Sequence, residues 1–204
     1  AEVCAALIDR WELASAEAGR LLHRAGDYLL ERAQYDRAEE LLCKARDVRA
    51  QALGPEHPIT AESLNDLGML YFDQGRYGEA EPLLQRALAI REQQLAPQHY
   101  ARAESLTNLA LLYWEQGRYD KAEPLYRQAL AIREQQSEPE RSRIAYTLHG
   151  LALLYFDQGR YSEAEPLYQQ ALAIWEQQLG SQPHATAFCL NNLGRLYREQ
   201  GKYE

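Results

Sequence analysis

The residues of this chain that could do chemistry come in columns rather than in clusters. Phe72, Trp114 and Phe156 stand 42 residues apart, and each is followed at once by an acid, Asp73, Glu115 and Asp157. Large rings beside carboxylates suit an extended peptide that carries apolar and basic side chains. Asparagines recur as well, and an amide grips a peptide backbone through both a donor and an acceptor. His57, His99 and His184 lie near prolines at similar intervals. Copies of one loop spread along a chain do not converge on a point, so no metal site is expected from them. The segment from Gly194 to Lys202 ends in Gly-Lys, but six residues separate its glycines and Tyr203 follows the lysine. A phosphate-binding loop needs four residues there and a Ser or Thr after the lysine. No constellation for general acid–base or nucleophilic catalysis emerges, so neither an enzyme nor a cofactor is expected.

Composition narrows the partners. The net charge of −8 argues against a nucleic-acid surface, which needs a basic face to neutralise phosphates. No apolar run approaches the roughly 18 residues of a membrane span, and no signal peptide is visible. Cys4, Cys43 and Cys189 are odd in number and scattered, as suits a reducing cytosol. Because the chain opens at Ala1 without a methionine and stops in mid-repeat at Glu204, it is expected to be a piece of a longer protein.

The elements that position these columns are set by a period. Gln74-Gly75-Arg76-Tyr77 returns at 116–119, at 158–161 and, with lysine for arginine, at 200–203. A constant period of this length means one supersecondary unit stacked on its copies. The units run approximately 19–60, 61–102, 103–144 and 145–186, with a partial fifth at 187–204, after an N-terminal connector helix at 1–18. Leu64, Leu67, Gly68 and Tyr71 trace one face of a helix, and Ala80, Leu83, Leu84, Ala87, Leu88 and Ile90 make a second apolar stripe after Gly75. Each unit is therefore two antiparallel helices joined by a short turn, and the fold class is all-α, a solenoid of helix pairs.

Small residues at Gly68, Ala110, Ala152 and Gly194, and at Ala80, Ala122 and Ala164, allow close helix approach. Tyr71, Tyr113, Tyr155 and Tyr197 fill the space between units, with hydroxyls free to reach a polar partner. Pro82, Pro124 and Pro166 fall just past the first turn of the second helix, where each costs one hydrogen bond. The run Arg91-Glu92-Gln93-Gln94 and its copies read as a solvated face.

The columns Leu64, Leu67, Gly68, Tyr71, Gly75, Tyr77, Ala80 and Ala87 resemble a tetratricopeptide repeat. The 42-residue length, Leu190 to Gly194 and the Ala-Glu-Pro-Leu and Ala-Leu-Ala-Ile runs are similar to the long-repeat subclass of kinesin light chains. The stretch from Cys4 to Trp11, leading into Leu21-Leu22 and Ala25 to Tyr28, resembles the connector before the repeat array of bacterial signalling ATPases of the STAND class. That resemblance implies a cytoplasmic sensor region in signal transduction. A kinesin-light-chain-like cargo adaptor and a structural self-assembly module are the alternatives.

The tetratricopeptide resemblance implies a right-handed α-solenoid whose first helices line a concave groove that binds a protein or extended peptide. Carried over, the groove columns hold Asn65 and His149, then Asp66, Asn108 and Asn192, then Met69, Leu111 and Leu153, and last Phe72, Trp114 and Phe156 with their acids. The aromatic column either buffers consecutive first helices or forms a ladder for partner side chains. Gly150 and Asp66 interrupt the asparagine column, and the acids stand where the basic clamp of chaperone-binding relatives has lysines and arginines. In the last unit Leu193, Leu196 and Tyr197 are expected to lie partly uncovered and to promote self-association.

Overall fold

The computed structural model describes residues 15–136, 141–177 and 183–202. Among these, no strand occurs. The chain divides into two compact units, Ala1–Pro97 and Gln98–Glu204. The first holds α1 (Ala16–Leu30), α2 (Tyr35–Leu53), α3 (Pro58–Asp73) and α4 (Tyr77–Gln94). The second holds α5 (Tyr100–Glu115), α6 (Tyr119–Glu134), α7 (Arg141–Asp157), α8 (Tyr161–Gln177) and α9 (Pro183–Glu199). Helices α1 and α2 pair as a hairpin, as do α3 and α4, α5 and α6, and α7 and α8; α9 lies on α8 and touches α7.

The turn inside each hairpin explains the repeated glycine. Gly75, Gly117, Gly159 and Gly201 all have φ between 70° and 73°, a region that an L side chain enters only at a cost. In the first of these, Arg76 N donates to Tyr71 O at 2.8 Å and Gly75 N to Phe72 O at 2.9 Å, the paired bonds that close a helix end. The divergent first unit keeps the same turn with alanine: Ala33 has φ 53°, and Gln34 N donates to Leu29 O at 3.0 Å.

The helix starts have their own chemistry. His57 Nδ1 accepts from Ile59 N, and His99 Nδ1 from Ala101 N, each at 3.2 Å. These two histidines are thus N-caps, taking up a donor that the first turn would leave orphaned. Pro82, Pro124 and Pro166 lie inside α4, α6 and α8 rather than in the first turn.

Close packing of each hairpin rests on the small column. A Cβ at Gly68 would sit 2.7 Å from Leu84 Cγ, and one at Gly26 would sit 2.8 Å from Leu42 Cγ. Ala110 and Ala152 are fully buried at the same register. Leu21–Tyr28 lie in α1 and so in the first hairpin, within the unit expected at 19–60 and beyond the connector at 1–18. Residues 1–14 of that connector lie outside the described residues.

Two polar latches join successive hairpins. In the first, Tyr71 Oη donates to Glu39 Oε1 at 2.9 Å while Arg76 reaches Glu39 Oε2 at 2.7 Å. Arg76 also lies 4.0 Å over the Tyr71 ring. Tyr155, Glu123 and Arg160 repeat this in the second unit, at 2.9, 2.8 and 4.0 Å. The Tyr71 and Tyr155 hydroxyls find their polar partner on the preceding hairpin. The repeated arginine after glycine completes that contact.

The second latch was not legible as such. Arg49, 3% exposed, donates to Ser63 Oγ at 2.8 Å, Glu62 Oε2 at 3.1 Å and Ile59 O at 3.3 Å. Arg133, 7% exposed, donates to Arg143 O at 2.6 Å and to the Thr147 hydroxyl. Arg91 is 3% exposed, so the expected solvated face loses its arginine while Glu92, Gln93 and Gln94 remain outside. A guanidinium delivers several donors from one planar fork, which suits the carbonyls at the start of the next helix.

Candidate protein-binding surface

The residues proposed for a groove all lie on first helices, and the side chains divide by depth. In the first unit Asn65 is 2% exposed and its Nδ2 donates to Asp66 Oδ1 at 3.2 Å. Asp66 in turn stands 3.3 Å from His23 Nε2, which is 3.6 Å from Asp27 Oδ2. Burial pushes the His23 pKa below its ordinary value, against the raising influence of Asp27. Met69 and Phe72 are half-buried and Asp73 is exposed. The Phe72 ring leans on Tyr77 at 5.6 Å. A cleft of about 470 Å³ opens beside this face, lined by Arg20, His23, Arg24, Asp27, Arg49 and Glu62 among others.

The second unit repeats the pattern. Asn108, Leu111, Trp114, Leu153 and Phe156 are half-buried, while Glu115 and Asp157 are exposed. Trp114 Nε1 donates to Asp157 Oδ2 at 2.8 Å, tying α5 to α7 along the aromatic column. Phe156 packs on Tyr161 at 5.5 Å and carries the Arg195 guanidinium 5.0 Å over its ring. That contact demonstrates that a cation can rest on the column.

His149 and Asn192 go inward instead. His149 is 7% and Asn192 3% exposed. Asn192 Nδ2 lies 3.0 Å from His149 Nε2; with the amide as donor, the ring proton stands on Nδ1. Around the imidazole lie Phe188 at 5.2 Å, Tyr168 at 5.4 Å and Trp175 at 5.7 Å. This apolar burial takes the His149 pKa down to about 4. Asn65, His149 and Asn192 therefore brace the layer beneath the surface, and the half-buried columns form the surface itself.

Sequence reasoning missed Tyr146 and Phe188, which are 47% and 54% exposed on α7 and α9. They too stand 42 residues apart, but Glu62 and Glu104 fill the earlier copies and hid the signal. At the C-terminal end Leu193 is 6% and Leu196 0% exposed, because α9 packs them against the rest of its unit. The exposed large apolar residues there are Phe188 and Leu190, not Leu193 and Leu196 as expected, while Tyr197 is half-buried.

The pattern of one family, the tetratricopeptide repeat, matches residues 17–93, 64–135 and 143–204. The chain belongs to the tetratricopeptide repeat family. Its solved neighbours agree. Nearly identical TPR-like repeats of kinesin-light-chain type from Podosopora anserina are 29% identical, with 90% of this chain and 87% of that one covered and a TM-score of 0.73. BtubC (BKLC) from P. vanneervenii is 23% identical over 98% of this chain and 80% of its own, with a TM-score of 0.81. A Rap protein complexed with Competence and Sporulation Factor is 20% identical, covered over 89% of this chain and 49% of that one, at a TM-score of 0.73. None of the curated proteins matches significantly. This tetratricopeptide-repeat chain is thus all-α and built as a solenoid of helix pairs, and no described helix is long and apolar enough to cross a membrane.

Proposed function

We propose that this chain is a non-catalytic scaffold that binds a protein or an extended peptide on its first-helix face. The observation that carries the reading is the half-buried aromatic column, Phe72 in one unit and Trp114 with Phe156 in the other, flanked by Asp73, Glu115 and Asp157. Rings that keep an edge in solvent offer apolar area, and the acids beside them favour a partner with basic side chains. Asn108, Met69, Leu111 and Leu153 extend that face, whereas Asn65, His149 and Asn192 act from beneath it. Affinity of the micromolar order, about −8 kcal/mol, is expected for one such face. A sensor role within a signalling ATPase rests on the resemblance carried by Cys4 to Trp11 and by the residues that stretch leads into. The parent sequence tests it through an upstream nucleotide-binding domain.

The test is selection from a random peptide library on the immobilised chain. Peptides enriched in apolar and basic residues are expected. They should lose binding to Trp114→Ala and Phe156→Ala variants whose circular dichroism and melting remain close to the parent's. Enrichment of acidic peptides, or equal capture by both variants, would refute the reading.

A further inference from the structure

The cleft of the first unit is lined by charges that do not answer one another. Arg20, Arg24 and Asp27 come to it from α1, Glu62 from α3 and Arg49 from α2. Among the described arginines of this unit, Arg20 and Arg24 alone meet no hydrogen-bond, ion-pair or ring partner. Both are exposed, and they stand one helical turn apart on one face. One turn further along, the sign reverses. Asp27 lies 3.6 Å and Asp66 3.3 Å from His23 Nε2, but burial lowers the His23 pKa and leaves the ring neutral at pH 7. Burial, and after it the charge of Glu62 across the gap, hold the Asp27 carboxyl above the usual carboxylate range against the opposing pull of His23. Two buried groups are also unsatisfied. His23 Nδ1 and Arg49 Nε have no hydrogen-bond partner, although their side chains are only 8% and 3% exposed. The equivalent arginines Arg91 and Arg133 leave no such nitrogen. Buried polar atoms of this kind are rare in folded proteins and mark a place where another molecule supplies what the chain does not.

We propose that this cleft binds a small dipolar molecule, its carboxylate on Arg20 and Arg24 and its cationic end between Asp27 and Glu62. Arg20 and Arg24 precede Asp27 by about 10 and 5 Å along the helix axis. An ω-amino acid such as 6-aminohexanoate, whose charges stand about 7 Å apart, falls in that range. L-Lysine and a peptide ending in lysine present the same pair of groups. Two guanidiniums one turn apart each offer a planar fork of N–H donors to a carboxylate. The volume of about 470 Å³ suits a guest of this size. A singly charged guest would answer one end of the cleft and leave the other unmet. The aromatic column takes no part, so failure of this proposal leaves the peptide-binding reading untouched.

The experiment follows the amide resonances of the isotope-labelled 204-residue chain as each probe is added. Saturable shifts in α1 and α3 are expected with 6-aminohexanoate. Hexanoate and hexylamine, which carry one of its charges each, should bind at least about tenfold more weakly. Arg20→Ala together with Arg24→Ala should bring 6-aminohexanoate down to the hexylamine level. Asp27→Asn should bring it down to the hexanoate level. Arg20 and Arg24 are exposed, so their double variant should melt as the parent does. L-Lysine and an acetylated tripeptide ending in lysine tell a free amino acid from a chain end, and binding of either supports the site. The proposal is overturned by the absence of saturable shifts with all these probes. It is equally overturned if hexanoate or hexylamine binds as tightly as 6-aminohexanoate, or if the double arginine variant leaves the affinity unchanged.

Discussion

Acid should loosen the second unit through His149. Its ring is 7% exposed, meets Asn192 in hydrogen-bonding range, and sits among Tyr168, Trp175 and Phe188. The unfolded chain takes up this proton near the ordinary value of 6.5, the folded chain only near 4. Because the folded value is the lower one, the unfolded state binds more protons throughout that window. Stability is therefore full above pH 6.5, falls as the pH drops from 6.5 towards 4, and loses nothing further from this group below that. The difference is worth about 3 kcal/mol. Carboxylates titrate across the lower part of the same range and His23 is also depressed, so the comparison must be with a variant. His149→Gln keeps an acceptor for Asn192 and cannot take up the proton. Urea unfolding at pH 7, 5.5 and 4.5 should show the parent losing about 2–3 kcal/mol more than the variant by the lowest pH. Parallel losses in both proteins, or a histidine resonance for His149 that titrates near 6.5, would refute the reasoning.

Three further outcomes follow from the packing. Ala33→Gly should stabilise the chain by about 1 kcal/mol, measured by urea denaturation, because Ala33 holds φ 53° where every other unit has glycine. Gly68→Ala should destabilise by about 1–3 kcal/mol in thermal melts, since its Cβ would lie 2.7 Å from Leu84 Cγ. Arg133→Leu should cost about 2–3 kcal/mol, because it strips donors from the Arg143 carbonyl and the Thr147 hydroxyl at a buried joint. Hydrogen exchange should then report faster opening of α7, and unchanged protection there would exclude the latch.

The helix pairs, their turns and their small columns were legible because each is a local or strictly periodic matter. A glycine every 42 residues marks a left-handed turn, and leucines at three- and four-residue spacing mark one buried stripe, whatever lies elsewhere in the chain. The site was legible only as a set of columns. Nothing in the period distinguishes Asn192, which turned inward, from Asn108, which stayed at the surface.

Sequence by itself determined that this chain is a stack of helical hairpins, since period and propensity act along the backbone. Depth was decided by the tertiary structure, because burial depends on what the neighbouring hairpin presents. Arg49 and Arg133 look like surface charges until Ser63 and Thr147 meet them from the next helix. Phe188 and Leu190 look like core residues, yet they are 54% and 50% exposed. Burial is a property of pairs of surfaces, and a one-dimensional pattern names only one member of each pair.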